Sequence, residues 1–242
     1  MVDRSFGDPS LAALYDSLHP WGPGDDFCHG YVMGAESVLD VGCGTGRLLG
    51  RARAEGHRGR LTGLDPAAAM LVRARRREPR VEWVLGDLRS QLWDGEFDLV
   101  VMTGHVFQLL LGDEEVRDAL KAVRGALGYR GRFVFETRNP TAREWETWTP
   151  DRVREVTGPD GGTVRVWRET EEPAGDRVTF TETFVGRRLH EVSRSTLRFV
   201  DPGTLSGLLA EAGLGVVERY GDWRRGPCTP TGPEIITVAA PV

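Results

Sequence analysis

Three glycines at alternate positions, Gly42, Gly44 and Gly46, are the first residues whose spacing bears on chemistry. They lie in "VLDVGCGTG", between an apolar run of strand type and a segment with helical spacing. Glycine there permits a tight turn and lets a ligand approach the backbone closely. The helix beyond offers free N–H groups at its start. Asp65 stands nineteen residues after Gly46, at the end of the next strand-like run, where an acid can accept from both hydroxyls of a ribose. Asp40, just before the first glycine, suits a cation. A carboxylate attracts an ammonium or sulfonium, directly or through water, and repels phosphate. A dinucleotide motif wants its third glycine where Arg47 stands, or where Leu49 stands if counted from Gly44, so the pyrophosphate spacing fails.

The elements that must position these residues alternate regularly. Ser37–Gly42, Arg60–Asp65, Val81–Asp87, Phe97–Gly104 and Gly131–Arg138 read as strands. The fourth is nearly continuously apolar, as a strand covered on both faces is. Gly46–Gly56, the segment opened by Pro66, and Asp113–Leu127 with its acidic first turn read as helices. This alternation predicts parallel βαβ units. A short helix is expected near Leu11–Leu18, with Pro20, Pro23 and two glycines breaking the chain after it. Beyond Pro140, alternation through "GTVRVWRET", "RVTFTETFVGRRL" and "EVSRSTLRFV" predicts antiparallel strands with turns at "GPDGG" and "PAGD". Asp201 as N-cap and Pro202 in the first turn open a last helix, and "GVVERYG" and "EIITVAAP" read as closing strands. The expected fold is α/β: a mostly parallel seven-stranded sheet flanked by helices, from residues 1–138 and 201–242. Residues 139–200 form a β-rich insert that binds a substrate or serves dimerisation.

Taken together, these motifs resemble class I S-adenosyl-L-methionine (SAM)-dependent methyltransferases, in particular small bacterial ones with a β-rich insert after the fifth strand. The likeness covers Leu11–Arg138 and, more loosely, the last helix and strands. It implies a Rossmann-like core, SAM as cofactor, S-adenosyl-L-homocysteine as product, and in-line methyl transfer to an N, O or C atom of a small molecule. It implies that Gly42, Cys43 and Gly44 surround the methionine part, Cys43 being a small loop residue without chemistry of its own. Asp65 then holds the ribose, and Pro66 and Met70 flank ribose and adenine. In "GDL" (Gly86, Asp87, Leu88), Asp87 accepts from the adenine amino group and Leu88 offers its N–H. Thr103 gives a backbone contact to the methionine end, and Tyr15 in "LYD" closes over the cofactor. The same fold would also serve a SAM-binding regulator or other SAM chemistry. An oxidoreductase without SAM is the reading that Arg47 opposes.

SAM is an activated donor, so the protein has mainly to hold the acceptor in line with the methyl group. An amine needs little more, whereas a hydroxyl or carbon acid needs a base. His105 in "TGHVFQ", just past the fourth strand, is the candidate catalytic residue, as a base or as an orienting group. Glu136 and Arg138 come next, Arg138 as partner of an acceptor carboxylate or of a neighbouring acid. Trp145, Trp148 and Trp167 either line an apolar acceptor pocket or form the core of the insert. His19, His29, His57 and His190 make no metal spacing, nor do Cys28, Cys43 and Cys228, so no metal is expected. Net charge is −5, and the densest basic run, Arg73 to Arg80, reads as the solvated end of a helix. Nucleic-acid enzymes gather basic residues against phosphate, so a small-molecule acceptor is expected instead. No apolar run of about 18 residues suggests a membrane span. Met1 to Phe6 is not the pattern of a signal peptide, and the odd cysteine count suits a reducing compartment. A cytoplasmic monomer or homodimer is expected.

Overall fold

The computed structural model describes residues 2–242. Its amino end is a chain of short helical turns, α1 (Arg4–Gly7), α2 (Pro9–Ala12) and α3 (Tyr15–Leu18). The single helix expected over Leu11–Leu18 is thus broken at Ala13 and Leu14. Asp8 caps α2 by accepting from the N–H groups of Ser10 and Leu11. Pro23, expected to break the chain, instead opens α4 (Pro23–Met33). Proline suits the first turn of a helix because its missing N–H would be unpaired there anyway. Asp25 completes the start by accepting from Gly22 N–H at 2.8 Å.

The regular part follows: β1 (Ser37–Val41), α5 (Arg47–Ala54), β2 (Arg60–Asp65), α6 (Ala68–Arg77), β3 (Glu82–Leu85), β4 (Phe97–Met102), α7 (Asp113–Ala126) and β5 (Leu127–Arg138). β3 ends two residues before Asp87, which lies in the turn beyond. β5 starts four residues earlier than its apolar run, with Tyr129 exposed. The insert holds β6 (Arg154–Thr157), β7 (Thr163–Thr170), β8 (Arg177–Gly186) and β9 (Leu189–Arg198). The chain closes with α8 (Pro202–Glu211), β10 (Leu214–Tyr220) and β11 (Glu234–Pro241).

Seven strands form one sheet in the order β10-β11-β5-β4-β1-β2-β3. The pairs joining β3, β2, β1, β4 and β5 are parallel, and β11 runs antiparallel between β5 and β10. Burial on both faces explains the apolar runs. One face packs on α7 and α8 through residues such as Leu120, Val123, Phe133, Phe135 and Leu205. The other packs on α4, α5 and α6 through Cys28, Leu49, Leu71, Val101 and Val134. The order reverses at β1, where β2 lies on one side and β4 on the other, and open α/β sheets bind ligands at such a point.

The insert is a separate antiparallel sheet, β6-β7-β8-β9. Val164, Val166 and Phe184 pack against Leu11, Leu14 and Leu18 of the amino-terminal turns. Trp145 and Trp148 are buried with Phe180, Leu197 and Phe199. Among the described residues, no helix is long and apolar enough to cross a membrane.

Candidate functional site

The carboxyl ends of β1, β2, β3 and β4 open into a cavity of about 870 Å³ that continues under the insert sheet. Its floor is the glycine turn. Gly42 has φ +74°, and a Cβ there would lie 2.6 Å from Val106 in the loop after β4. Gly46 has φ +72°, and its Cβ would lie 2.4 Å from the Trp83 ring. The first glycine therefore lets two loops meet, and the last lets α5 sit against β3. Both positive φ values lie in the region glycine tolerates best.

Asp65 lines the cavity beside this turn. Its Oδ2 accepts from Gly44 N–H at 2.8 Å, and its Oδ1 accepts from Ala67 N–H at 2.7 Å. Each oxygen keeps a second lone pair, so the carboxylate is oriented without being saturated. Burial raises its pKa, and the two N–H donors oppose that. Pro66, Met70, Gly86, Asp87 and Leu88 continue the wall. Met70 is buried and packs with Ala67. Asp87 is partly engaged already: it accepts from Arg89 and Ser90 N–H at 3.0 Å and from Arg89 Nη2 at 2.9 Å. Burial works against its charge, but the Arg89 donors outweigh this and hold the carboxyl below its usual range.

Thr103 and Gly104 form the edge after β4. Tyr15 lies across the gap: a Cβ on Gly44 would be 3.9 Å from its ring, and one on Gly104 would be 3.6 Å from its hydroxyl. Burial pushes the Tyr15 phenol up to about 12, so it stays a neutral cover. Two charge networks hold it in place. Arg47 bonds the His19 carbonyl and pairs with Asp25 at 3.0 Å. Arg77 donates to Thr45 O and Oγ1 at 2.7 and 2.9 Å and also pairs with Asp16, while Thr45 donates to Asp16 at 2.6 Å. The basic run on α6 is thus a brace as well as a solvated surface, which corrects the reading from sequence. Its sign of charge was legible, but its partners Thr45 and Asp16, 32 and 61 positions upstream, were not.

Two expected contacts lie elsewhere. Cys43 points into the core, where its Sγ would be 2.8 Å from a Cβ on Gly63. Asp40 is not on the cavity wall either. It is buried on the α4 side of the sheet, with Oδ1 lacking any partner among the described residues. Burial pushes its carboxyl up to about 8, with repulsion from Asp65 and Glu136 adding to it. Glu136 does line the cavity, and its Oε2 is buried without a hydrogen-bond partner among the described residues. Asp40, Asp65 and Glu136 thus concentrate acid behind the glycine turn, and one oxygen each of Asp40 and Glu136 has no partner among the described residues. An ammonium or sulfonium ligand fits this donor set, and a pyrophosphate does not. The residues present therefore fit SAM.

His105 adopts a left-handed backbone, φ 62°, which costs a residue with a Cβ about 1 kcal/mol or more. Two acids hold it there. Its N–H donates to Glu136 Oε1 at 2.9 Å, and its Nε2 lies 3.0 Å from Glu234 at the start of β11. The separation is that of an ion pair, yet burial lowers the ring's pKa to about 4 and raises the Glu234 carboxyl to about 8. A hydrogen-bonded pair with a neutral ring follows. His105 lines the cavity with Nε2 turned to β11.

The far wall comes from the insert and the amino-terminal turns. Arg138 binds Gln108 at 3.0 Å and Glu144 at 3.0 Å, over the Trp148 ring, so its charge is largely spent on its neighbours. Trp145 and Trp148 belong to the insert core and not to this wall, and Trp167 is half-buried away from it. The wall residues are instead His19, Arg168, Phe180, Glu182, Phe184 and Ser195. Sequence reasoning missed them as individuals. The available signal was Glu182: Val178, Phe180, Glu182 and Phe184 share one face of β8, and only the third is charged.

Comparison with known proteins identifies the family of the chain. A family model described as a methyltransferase domain matches residues 38–131. The chain is 31% identical over 183 residues to dTDP-3-amino-3,6-dideoxy-alpha-D-glucopyranose N,N-dimethyltransferase of Streptomyces fradiae, covering 69% of this chain and 68% of that protein. It is 35% identical over 161 residues to dTDP-4-amino-2,3,4,6-tetradeoxy-D-glucose N,N-dimethyltransferase of Saccharopolyspora spinosa, covering 62% and 60%. For another relative, a transposon protein of Streptomyces fradiae, the chain spans only 32% of the length. The CcbJ methyltransferase of Streptomyces caelestis superposes with a TM-score of 0.75 over 98% of both chains at 22% identity, a likeness of fold.

Proposed function

Given that the chain belongs to the SAM-dependent methyltransferases, we propose that it transfers the SAM methyl group to a nitrogen of a small-molecule acceptor, an amino sugar or close analogue. The observation that carries this reading is one cavity with two unlike walls, an acidic glycine-turn floor and a polar, aromatic far wall. The two dimethyltransferase relatives, each named for an amino sugar, support nitrogen as the accepting atom.

When bound, the cofactor supplies a methyl group already activated by a positively charged sulfur. The chain supplies placement. Asp65 accepts from the ribose hydroxyls with lone pairs that its own backbone bonds leave free. Pro66, Met70, Gly86, Asp87 and Leu88 hold the adenine side, Asp87 sharing its carboxylate with Arg89. Gly42, Gly44 and the Thr103 backbone border the methionine end, with Cys43 contributing its backbone alone. Glu136 on the cavity wall favours the cationic end, and Asp40, behind it and largely protonated at neutral pH, would favour it only on losing its proton. Tyr15 covers the ligand and excludes water. His105 orients the acceptor as a neutral ring, and its role as a strong base is disfavoured by its pKa and its tie to Glu234. Three free cysteines suit a reducing cytoplasm.

The test is direct. SAM and S-adenosyl-L-homocysteine should raise the melting temperature while NAD leaves it unchanged. Incubation with SAM and dTDP-amino sugars should give products heavier by one or two methylene masses. His105→Asn should lower kcat/KM by about tenfold with the acid limb of the pH profile retained. A fall of about a hundredfold or more with loss of that limb would make His105 the base instead. Absence of any SAM-dependent mass gain would overturn the proposal.

A further inference from the structure

β8 places a carboxylate where its pattern demands an apolar side chain. Glu182 is 6% exposed, in one row with Val178, Phe180 and Phe184. A buried charge is tolerated when paired, and Glu182 is: its Oε1 accepts from Arg168 Nε at 2.8 Å and from Arg154 Nη2 at 3.2 Å. Arg168 lies directly opposite it on β7 and stands over the Trp148 and Phe180 rings at 5.4 and 5.2 Å. Only one oxygen of Glu182 is used. Oε2 has no hydrogen-bond partner among the described residues and is not sealed in the protein, and Glu182 lines the cavity.

His19 faces the same space from the amino-terminal turns. Its Nδ1 lies 3.0 Å from the Tyr15 carbonyl, which can only accept, so Nδ1 carries the proton. Nε2 is then a lone pair with no partner among the described residues, open to the cavity. Burial lowers the ring's pKa to about 4 even with Glu182 nearby, which keeps that lone pair available. The ring stacks on Tyr15 with centroids 4.4 Å apart.

The three groups define a ligand by what they offer. His19 Nε2 and Glu182 Oε2 accept, and the outer guanidinium nitrogens of Arg168 donate. An anion is opposed by Glu182, and an ammonium is opposed by Arg154 and Arg168 sharing the same carboxylate. Two neighbouring hydroxyls, each with one hydrogen to donate and lone pairs to accept, satisfy all three. Phe180 and Phe184, flanking Glu182, offer an apolar face.

We propose that His19, Arg168 and Glu182 form a hydroxyl-reading subsite, so that the acceptor is an amine on a hydroxylated ring with one apolar face and its nitrogen lies away from this subsite. The inference rests on the methyltransferase reading and specifies its acceptor. It is tested on full-length enzyme loaded with S-adenosyl-L-homocysteine, by calorimetric titration of D-glucosamine and of cyclohexylamine. Glucosamine should bind at least about tenfold more tightly. His19→Asn and Glu182→Gln should each remove about tenfold of its affinity, the scale of one bond to a charged or fully used group, with S-adenosyl-L-homocysteine affinity retained. Equal affinity for the two amines, or unchanged glucosamine affinity in His19→Asn, would overturn the subsite. If Glu182→Gln loses its fold, shown by lost S-adenosyl-L-homocysteine binding in that variant alone, His19→Asn decides. Wild-type enzyme that fails to bind S-adenosyl-L-homocysteine would overturn the methyltransferase reading, and the subsite with it.

Discussion

The floor and the far wall of the cavity are built in opposite ways. The floor is made of turns that follow parallel strands, and its turns meet where those strands are neighbours in the sheet. Asp65 reaches Gly44 and Ala67, and Gly42 meets the loop after β4. The far wall joins His19 from the amino-terminal turns to Arg168 and Glu182 from the insert, about 150 positions away. The floor depends on backbone N–H groups and glycine dihedrals, which bind a fixed ligand. The wall depends on side chains, which can be exchanged without touching the backbone below.

The sharpest way to break this contrast is Asp65→Ala. It removes two prospective bonds to ribose and leaves Gly44 and Ala67 N–H without their acceptor. Bonds to charged groups contribute about 1.5–3 kcal/mol, so SAM affinity should fall about a hundredfold by calorimetry. Unchanged affinity would show that the floor is not the cofactor site.

Gly46→Ala tests whether the floor is a packing device. The new Cβ would meet Trp83 at 2.4 Å with φ at +72°. Overpacking costs about 1–3 kcal/mol, and for a chain of this size the melting temperature should drop by about 2–12 °C. Glycines outside the turn with open space around them, such as Gly207, should show no such drop.

These local features account for what the sequence disclosed. The glycine spacing, Asp65 and "GDL" fall on consecutive strand ends, so periodicity alone brought them together. The wall was hidden for a physical reason. Whether Glu182 faces solvent or the cavity depends on which face of β8 is covered, and the covering residues, Leu11, Leu14 and Leu18, lie far away in sequence. His19 was passed over because isolated histidines carry no spacing. Asp40 was placed against the ligand from its position beside Gly42, but strand alternation turns it to the α4 side. The α4 helix was missed because Pro23 was weighed as a breaker and not as a first-turn residue.

Titration divides the buried groups by residue type and not by region. Asp40 and Glu234 have folded pKa values near 8, above the values of free carboxyls, so they stabilise the fold at low pH and lose that contribution as pH rises toward 8. His19 and His105 have folded values near 4, below free histidine, so their contribution is full above about pH 6.5 and is lost as pH falls toward 4. Between pH 6.5 and 8 only the carboxyls act, and the melting temperature of the free enzyme should decline by an amount equivalent to at most about 2 kcal/mol per group. Asp40→Asn should flatten this decline. An unchanged slope in that variant would place the titrating acid elsewhere.

The smallest expected effect is that of Arg77→Ala. Its guanidinium joins Thr45 of the floor to Asp16 of the amino-terminal segment from a half-exposed position. Stability should fall by about 1 kcal/mol in denaturant titration. Loss of SAM affinity beyond that would mean that the brace, and not Asp65 alone, holds the floor open.

Tyr15 and His19 sit on one segment, their rings stacked, the first over the glycine turn and the second on the far wall. Any movement of that segment to admit the cofactor would carry Tyr15 and His19 together, so closing one site would complete the other. Turnover should follow a compulsory order, with S-adenosyl-L-homocysteine leaving last and inhibiting competitively against SAM but not against the amine.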